Sequence, residues 1–520
     1  MTLVWSLWLD VSHDQCGGAL GSQNFVVWNA AECRHRGGNN QTFHGMLESR
    51  PSEHVWTALL LCQRGGPMTA GVVMWWTEHS LMEETGSDER ALLGSGASLR
   101  RLLGLWWPQR GRGRFRAAAS ASFSMLVVAW LPSFTALKLI MDTSQELDEI
   151  ALCSLVIFVS FGFVTKASFF IYQSNTLHQL LQVLHESRRF NSGRKDSEEI
   201  RRRYQKLSRR MYIFMQVTSL QALAGWVSAP LLVRAFRTSD EDSVESYRQF
   251  PVPLWFPGNI YSSPTYEILY IVQFLCIIVA PQTSTCINIF FIHMMLMVAA
   301  ELEVLNVNIS SIQKVHLRLE GSEDQEQRRR NKEKYEEFDI KSNAFVHNTG
   351  DSSTEDVSNE NTNLLLVKNI QHHQVILRSV YLLQRVMNVS IFILLFVNMT
   401  GLCSCLFVTA VLLQRDGSLA KALKSLLSIL PLLYETGLYC IFGQILTDQS
   451  EKLVNSAVSC GWADCDTRFK RSLLVFLTVA GRPLEIIVGK RNKLSKETLV
   501  QVLNGSYGLL NLLYHFHNTQ

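Results

Sequence analysis

ILYIVQFLCIIVAPQTSTCINIFFIHMMLMVAA, residues 268–300, carries no Asp, Glu, Lys or Arg. A helix needs about 20 mostly apolar residues to cross the ~30 Å hydrocarbon core of a bilayer. At ~1.5 Å per residue this stretch reaches about 50 Å as a helix, so one end must project beyond the membrane. The competing reading is a buried core helix of a soluble protein, and a single run does not decide between them. The rest of the chain does. Further apolar runs of spanning length stand at 117–141, 150–172, 211–233, 386–413 and 425–446. A seventh region comes in two pieces, 472–488 and 499–516, interrupted by GKRNKLSK. Soluble chains rarely hold six such runs, and runs of this length read as membrane spans. The expected fold class is therefore all-α: a multi-pass membrane helical bundle with seven transmembrane helices, the last split into a cytoplasmic and a membrane piece.

Bulk composition hides this. The 520 residues are 47% hydrophobic and 18% charged, with a net charge of +4, and the mean hydropathy is only +0.08. Two tracts dilute the apolar runs. Residues 1–99 form an atypical N-terminal extension with scattered Trp and Gly and no persistent period. It reads as a small extra domain, a disordered tail, or sequence foreign to the mature protein such as a mis-joined upstream exon, and we favour the last, with Met82 as an alternative start. Residues 301–378 read as a long cytoplasmic loop. Within it, 339–363 is acidic and rich in Asn, Ser and Thr, which predicts a disordered insertion. The small net charge argues against a nucleic-acid binder.

Lys and Arg placement sets the orientation. Ten basic residues lie between Gln173 and Arg210, Arg201 among them, and none lies between Asp142 and Glu149. The basic side is cytoplasmic, which puts the N-terminus inside and, after seven crossings, the C-terminus outside.

No catalytic constellation stands in the chain: HExxH, GxSxG and a P-loop are all missing, so no enzyme activity and no cofactor are expected. Cys460 and Cys465 lack a second pair for zinc, and the adjacent His372 and His373 sit on a polar segment. Ionisable residues inside spans weigh more. Glu435 lies mid-span and reads as a buried pair or a contact for ligand or ion. Lys166, near the inner end of its span, can snorkel. His293 and Glu301 fall where the 268–300 run overshoots.

The C-terminal region adds a resemblance. LYCIFGQILTDQSEKLVNSAVSCGWAD (438–464) and FKRSLLVFLTVAGRPLEIIVGKRNKLSKETLVQVLNGSYGLLNLL (469–513) resemble insect odorant receptors. The matching features are Trp462 followed by a basic helix, RPL at 482–484, LS(x)ET at 494–498 and the Ser506–Tyr507 pair. FPVPLWFPGNIYSSPTYEILYIVQ (250–273) resembles the family's second extracellular connection, and LLGLWWP (102–108) its entry to the first span. Gustatory receptors are the near alternative, though the terminal TY and QF signature expected of them is missing. A transporter would show internal repeats, and a G-protein-coupled receptor the opposite orientation.

The resemblance, spanning roughly 100–513, implies an odorant-receptor domain over 100–520. It implies a tuning subunit that assembles with the shared odorant co-receptor as a heterotetrameric, ligand-gated, non-selective cation channel in the plasma membrane of olfactory sensory neurons. The pore would be lined by the last helix, with a hydrophobic gate at Leu509, Leu510 or Leu513. A small volatile odorant would bind in the outer half of the bundle, between the second, third, fourth and sixth spans. There Ser219, Ala222 and Trp226 share a helix face by spacing, and Tyr434 and Phe158 are further candidates. Tyr434 and Tyr439, five apart, point roughly 140° from each other on a regular helix, so they cannot both line one pocket unless the helix is irregular there, which Pro431 could bring about.

Overall fold

The computed structural model describes residues 92–106, 113–142, 147–190, 193–236, 250–312, 352–415, 419–489 and 491–519. A short helix α1 (Ala97–Leu102) leads into α2 (Gly113–Met141), α3 (Leu147–Tyr172), α4 (Ser174–Arg189) and the long α5 (Lys195–Phe236). Then come α6 (Thr265–Ser310), α7 (Ser352–Arg415) and α8 (Leu419–Val458). A 3₁₀ turn (Trp462–Asp464), α9 (Thr467–Ala480), two strands, β1 (Ile487–Val488) and β2 (Asn492–Lys493), and α10 (Lys496–Thr519) complete the chain. The strands pair antiparallel, Ile487 opposite Lys493.

Five helices among the described residues are long and apolar enough to cross a membrane by length and composition: Phe115–Met141, Leu152–Tyr172, Thr265–Ser310, Glu360–Val411 and Ser428–Val458. The apolar run that opened the reading is the axis of the molecule. α6 packs against α2, α3, α5, α7 and α8, and nearly every residue from Gln282 to Leu305 is buried. A helix apolar on all faces belongs in such a centre. α2 is peripheral: Phe115, Phe123, Leu126 and Ile140 are exposed, as suits a helix facing lipid.

Three boundaries are drawn differently by the packing. The first concerns the boundary of the N-terminal extension. Residues 1–91 lie outside the described residues, but Leu92, Leu93 and Ala97 are buried in the main core. His293 Nε2 lies 3.0 Å from the Leu92 carbonyl oxygen, and Arg100 is buried with its guanidinium on the Leu93 and Ser95 carbonyls. The packed domain thus begins upstream of residue 100. Just after α1, Gly104 takes a left-handed φ of 71°, and a Cβ there would stand 2.2 Å from the Ala121 backbone nitrogen. Only glycine lets the segment lie this close to α2.

The second concerns the cytoplasmic loop. Residues 313–351 lie outside the described residues, but α7 already runs from Ser352, inside the stretch expected to be disordered. Its buried residues Thr362, Leu366, Asn369, His373, Ile376, Val380 and Leu383 repeat at alternating spacings of four and three, the seam of a packed helix. The third concerns the last region. The expected helical piece 472–488 is the amphipathic α9, which buries Phe469, Leu473, Phe476 and Ala480 and stops at Ala480. Asp466 caps its start by accepting from the Phe469 amide at 2.8 Å. Pro483 then disfavours helix at Arg482 and cannot itself donate to one, so the chain runs extended into the hairpin.

Candidate functional site

A cavity of about 190 Å³ lies between α2, α3, α5, α6 and α8. It sits where three hydrophobic clusters meet: one holding Met215, one holding Leu131, Val156, Leu223 and Ile277, and one holding Leu155 and Leu432. Small side chains explain part of the space, since Ser219, Ala222, Ala280 and Ser284 all face it. Proline explains another part. Pro281 and Pro431 line the cavity from inside α6 and α8. Each lacks the N–H that would close a helical turn; the carbonyl left without that donor on α6 belongs to Ile277, also a lining residue.

One end is closed by the segment that precedes α6. Val252 is buried and lines the cavity. Gln273 holds it as a neighbouring strand would, its Nε2 donating to the Val252 carbonyl at 2.9 Å and its Oε1 accepting from the Val252 amide at 3.3 Å. Thr135 of α2 donates to the Pro253 carbonyl at 3.3 Å, fastening the same segment from the other side.

The wall holds four of the five ligand residues proposed from sequence. Ser219, Ala222 and Trp226 line it together on α5, and Tyr434 lines it from α8. The indole Nε1 of Trp226 donates to Ser428 Oγ at 3.0 Å, fixing the ring against α8. Tyr434 packs edge-on to Phe214 with centroids 5.5 Å apart. Phe158 is half-buried and does not line the cavity; its helix contributes Leu155, Val156, Val159, Ser160 and Phe163 instead.

The other end is polar, and here the sequence reading is corrected. Lys166 does not snorkel. It is buried, and its Nζ donates to Ser284 Oγ at 2.8 Å, to Asn288 Oδ1 at 2.8 Å and to Glu435 Oε1 at 2.5 Å. Asn288 Nδ2 also donates to Glu435 Oε1, and Tyr439 Oη donates to Asn288 Oδ1 at 3.0 Å. Tyr439 thus supports the floor from behind while Tyr434 forms the wall, the outcome expected of a regular helix at this spacing. Ser284, Asn288 and Glu435 face the cavity. Sequence reasoning overlooked Ser284 and Asn288; they stand one helical turn apart on one face of the uncharged run, beside the polar Gln282, Thr283 and Thr285, and only that i, i+4 spacing could have singled them out.

The proposed gate residues lie on α10, which packs on α7 and α8. In the single chain Leu509 and Leu510 are half-buried, and Leu513 is exposed together with Tyr507 and Leu512. His372 and His373, expected on a polar segment, are buried in the helix seam. No group of three or more potential metal ligands occurs among the described residues.

Comparison with known proteins places this architecture. A family model described as 7tm Odorant receptor matches residues 147–507, from the first residue of α3 into α10. Odorant receptor 19a of Drosophila melanogaster is 28% identical over 156 residues, which is 30% of this chain and 39% of the fly protein. The chain thus spans about two fifths of that relative's length. Odorant receptor 10 of Aedes albopictus is 24% identical over 277 residues, 52% of this chain and 61% of the mosquito protein. The fold is similar to that of the insect olfactory receptor OR5 from Machilis hrabei, solved in complex with eugenol. The TM-score is 0.61 at 14% identity, over 80% of this chain and 95% of that one. With seven-tenths of the chain inside the family model, a central all-apolar helix and the multi-pass bundle around it, this membrane protein belongs to the insect odorant receptor family, a family of receptors and not of enzymes.

Proposed function

We propose that the chain is a tuning subunit of a ligand-gated, non-selective cation channel, assembled with a shared odorant co-receptor as a heterotetramer in the plasma membrane of olfactory sensory neurons. The observation that carries this reading is the cavity. It lies between five helices, is mostly apolar, and is lined by Ser219, Ala222, Trp226 and Tyr434. An apolar site with a few convergent polar groups suits a small volatile ligand. The Machilis receptor of the same fold, solved with eugenol, lends support to a small organic ligand. In the orientation given by the basic residues at 188–210, the cavity lies in the outer half of the bundle and the N-terminus is cytoplasmic. The pore is lined by α10, with Leu509, Leu510 and Leu513 as a hydrophobic constriction that closes by dewetting. Ligand opens it by binding the open arrangement better than the closed one. The apolar side chains that α10 leaves exposed, Val500, Leu503, Tyr507 and Leu513, support a role facing a pore or neighbouring subunits.

The test is co-expression with the co-receptor and recording of odorant-evoked cation current. Current that appears with the pair and is lost on Trp226→Ala is expected. No current over a broad odorant panel, with surface expression confirmed, overturns the channel reading.

A further inference from the structure

We infer that the floor of the cavity selects neutral ligands bearing one hydroxyl group, alcohols or phenols, with the Glu435 carboxylate as the acceptor. This rests on the cavity being the ligand site.

The floor of the cavity holds unused hydrogen-bonding capacity. Lys166 is sealed, with 1% side-chain exposure, and its three protons go to Ser284, Asn288 and Glu435. Asn288 Oδ1 accepts twice, from Lys166 and Tyr439. Both donors to Glu435, Lys166 Nζ and Asn288 Nδ2, use the same oxygen, Oε1. Oε2 receives no hydrogen bond from the described residues, and the Glu435 side chain keeps 10% of its exposure in the cavity wall. An ionised carboxylate only accepts, so what the floor offers a guest at this point is an acceptor. Ser284 adds the complement: its Oγ accepts from Lys166, and no bond among the described residues uses its hydrogen. A hydroxyl both donates and accepts, and so suits a carboxylate beside a serine. An ether or ester can only accept.

Charge narrows the class further. Lys166 and Glu435 neutralise one another. A cationic amine would bring a third, unbalanced charge into a desolvated site, and a carboxylate would face Glu435 directly; both are costly. Volume sets the size. At about 190 Å³ the cavity is somewhat larger than the ~150 Å³ apolar cavity that holds benzene, which fits one ring with a short substituent or a short chain.

The full-length chain in lipid nanodiscs is titrated with benzyl alcohol, benzyl methyl ether, toluene and benzylammonium, and binding is followed by ligand-observed NMR. Ala222→Phe, which fills the cavity, measures the background from lipid. Benzyl alcohol is expected to bind roughly ten- to a hundredfold tighter than the ether or toluene, the effect of one hydrogen bond to a charged group, and benzylammonium not above background. The double variant Lys166→Met/Glu435→Leu removes both charges together, which buried pairs commonly tolerate. It should still bind toluene and lose the preference for the alcohol. If ether and toluene bind the unmodified chain as tightly as the alcohol, the selectivity is overturned while the cavity stands as the ligand site. If no probe exceeds the Ala222→Phe background, the cavity reading fails and this inference with it.

Discussion

Arg201 grips Glu301 with both arms of its guanidinium, Nε donating to Oε1 at 2.8 Å and Nη2 to Oε2 at 2.9 Å. Both side chains are buried, at 3% and 2% exposure. Around them, Arg201 Nη1 donates to Glu198 at 2.9 Å, His372 Nε2 lies 3.3 Å from Glu301 Oε2, and Arg188 Nε lies 3.9 Å from Oε1. One carboxylate thus ties α4, α5, α6 and α7 together. Removing one partner of a buried pair strands the other, at a cost of about 3–5 kcal/mol. Glu301→Ala is therefore expected to lower the thermal midpoint of the purified receptor in detergent sharply. Arg201→Lys, which keeps the charge but loses the two-pronged geometry, should fall between. A Glu301→Ala protein that melts with the unmodified one shows that the pair holds nothing together.

Ala222 faces the cavity from the middle of its α5 face. Phe at this position fills the proposed ligand site, while its ring meets mostly apolar neighbours. Odorant sensitivity should drop at least tenfold with surface expression retained. Dose–response curves on surface-labelled cells check this, and an unchanged half-maximal concentration removes α5 from the ligand site.

Leu510 is half-buried on α10. If it belongs to the hydrophobic constriction, Leu510→Ser wets the closed pore and raises the current measured without ligand several-fold. Leak equal to that of the unmodified protein takes Leu510 out of the proposed gate.

Gln216 is buried on α5, and neither polar atom of its amide finds a partner among the described residues. A buried amide without partners is a cost, so Gln216→Leu is expected to leave stability unchanged or raise it by about 1 kcal/mol. Thermal unfolding reads the sign. A clear loss would mean that the amide is bonded through water.

The spans were legible because hydrophobicity at bilayer length is a property of contiguous sequence, and the 268–300 run alone names the central helix. The face of α5 carrying Ser219, Ala222 and Trp226 was legible for the same reason, since helical spacing puts residues three and four apart on one side. The start of α7 was hidden by chemistry. Its seam is 4–3 spaced, but Thr362, Asn369 and His373 occupy seam positions, so a search for apolar periodicity passes over it, and the acidic run before Leu364 reads as solvated. The floor of the cavity was hidden by distance. Lys166 and Glu435 each stood out as a charge in an apolar run, but nothing local pairs two residues 269 positions apart. Phe158 lies off the cavity lining, because choosing one aromatic on α3 requires the rotation of that helix, which packing sets.

That same separation bears on how the protein is made. Lys166 leaves the ribosome 269 residues ahead of the carboxylate that neutralises it, a wait of roughly 15–50 s at the ~5–20 residues per second of translation. Throughout that interval α3 carries an unmatched ammonium in an apolar helix, where ionisable side chains are costly. Release of α3 into lipid is then best deferred until α8 has emerged. Biosynthesis, and not only the finished receptor, is thereby coupled to Glu435: nascent chains stopped at residue 418 should stay crosslinkable to the insertion machinery through α3, and chains stopped after residue 458 should not.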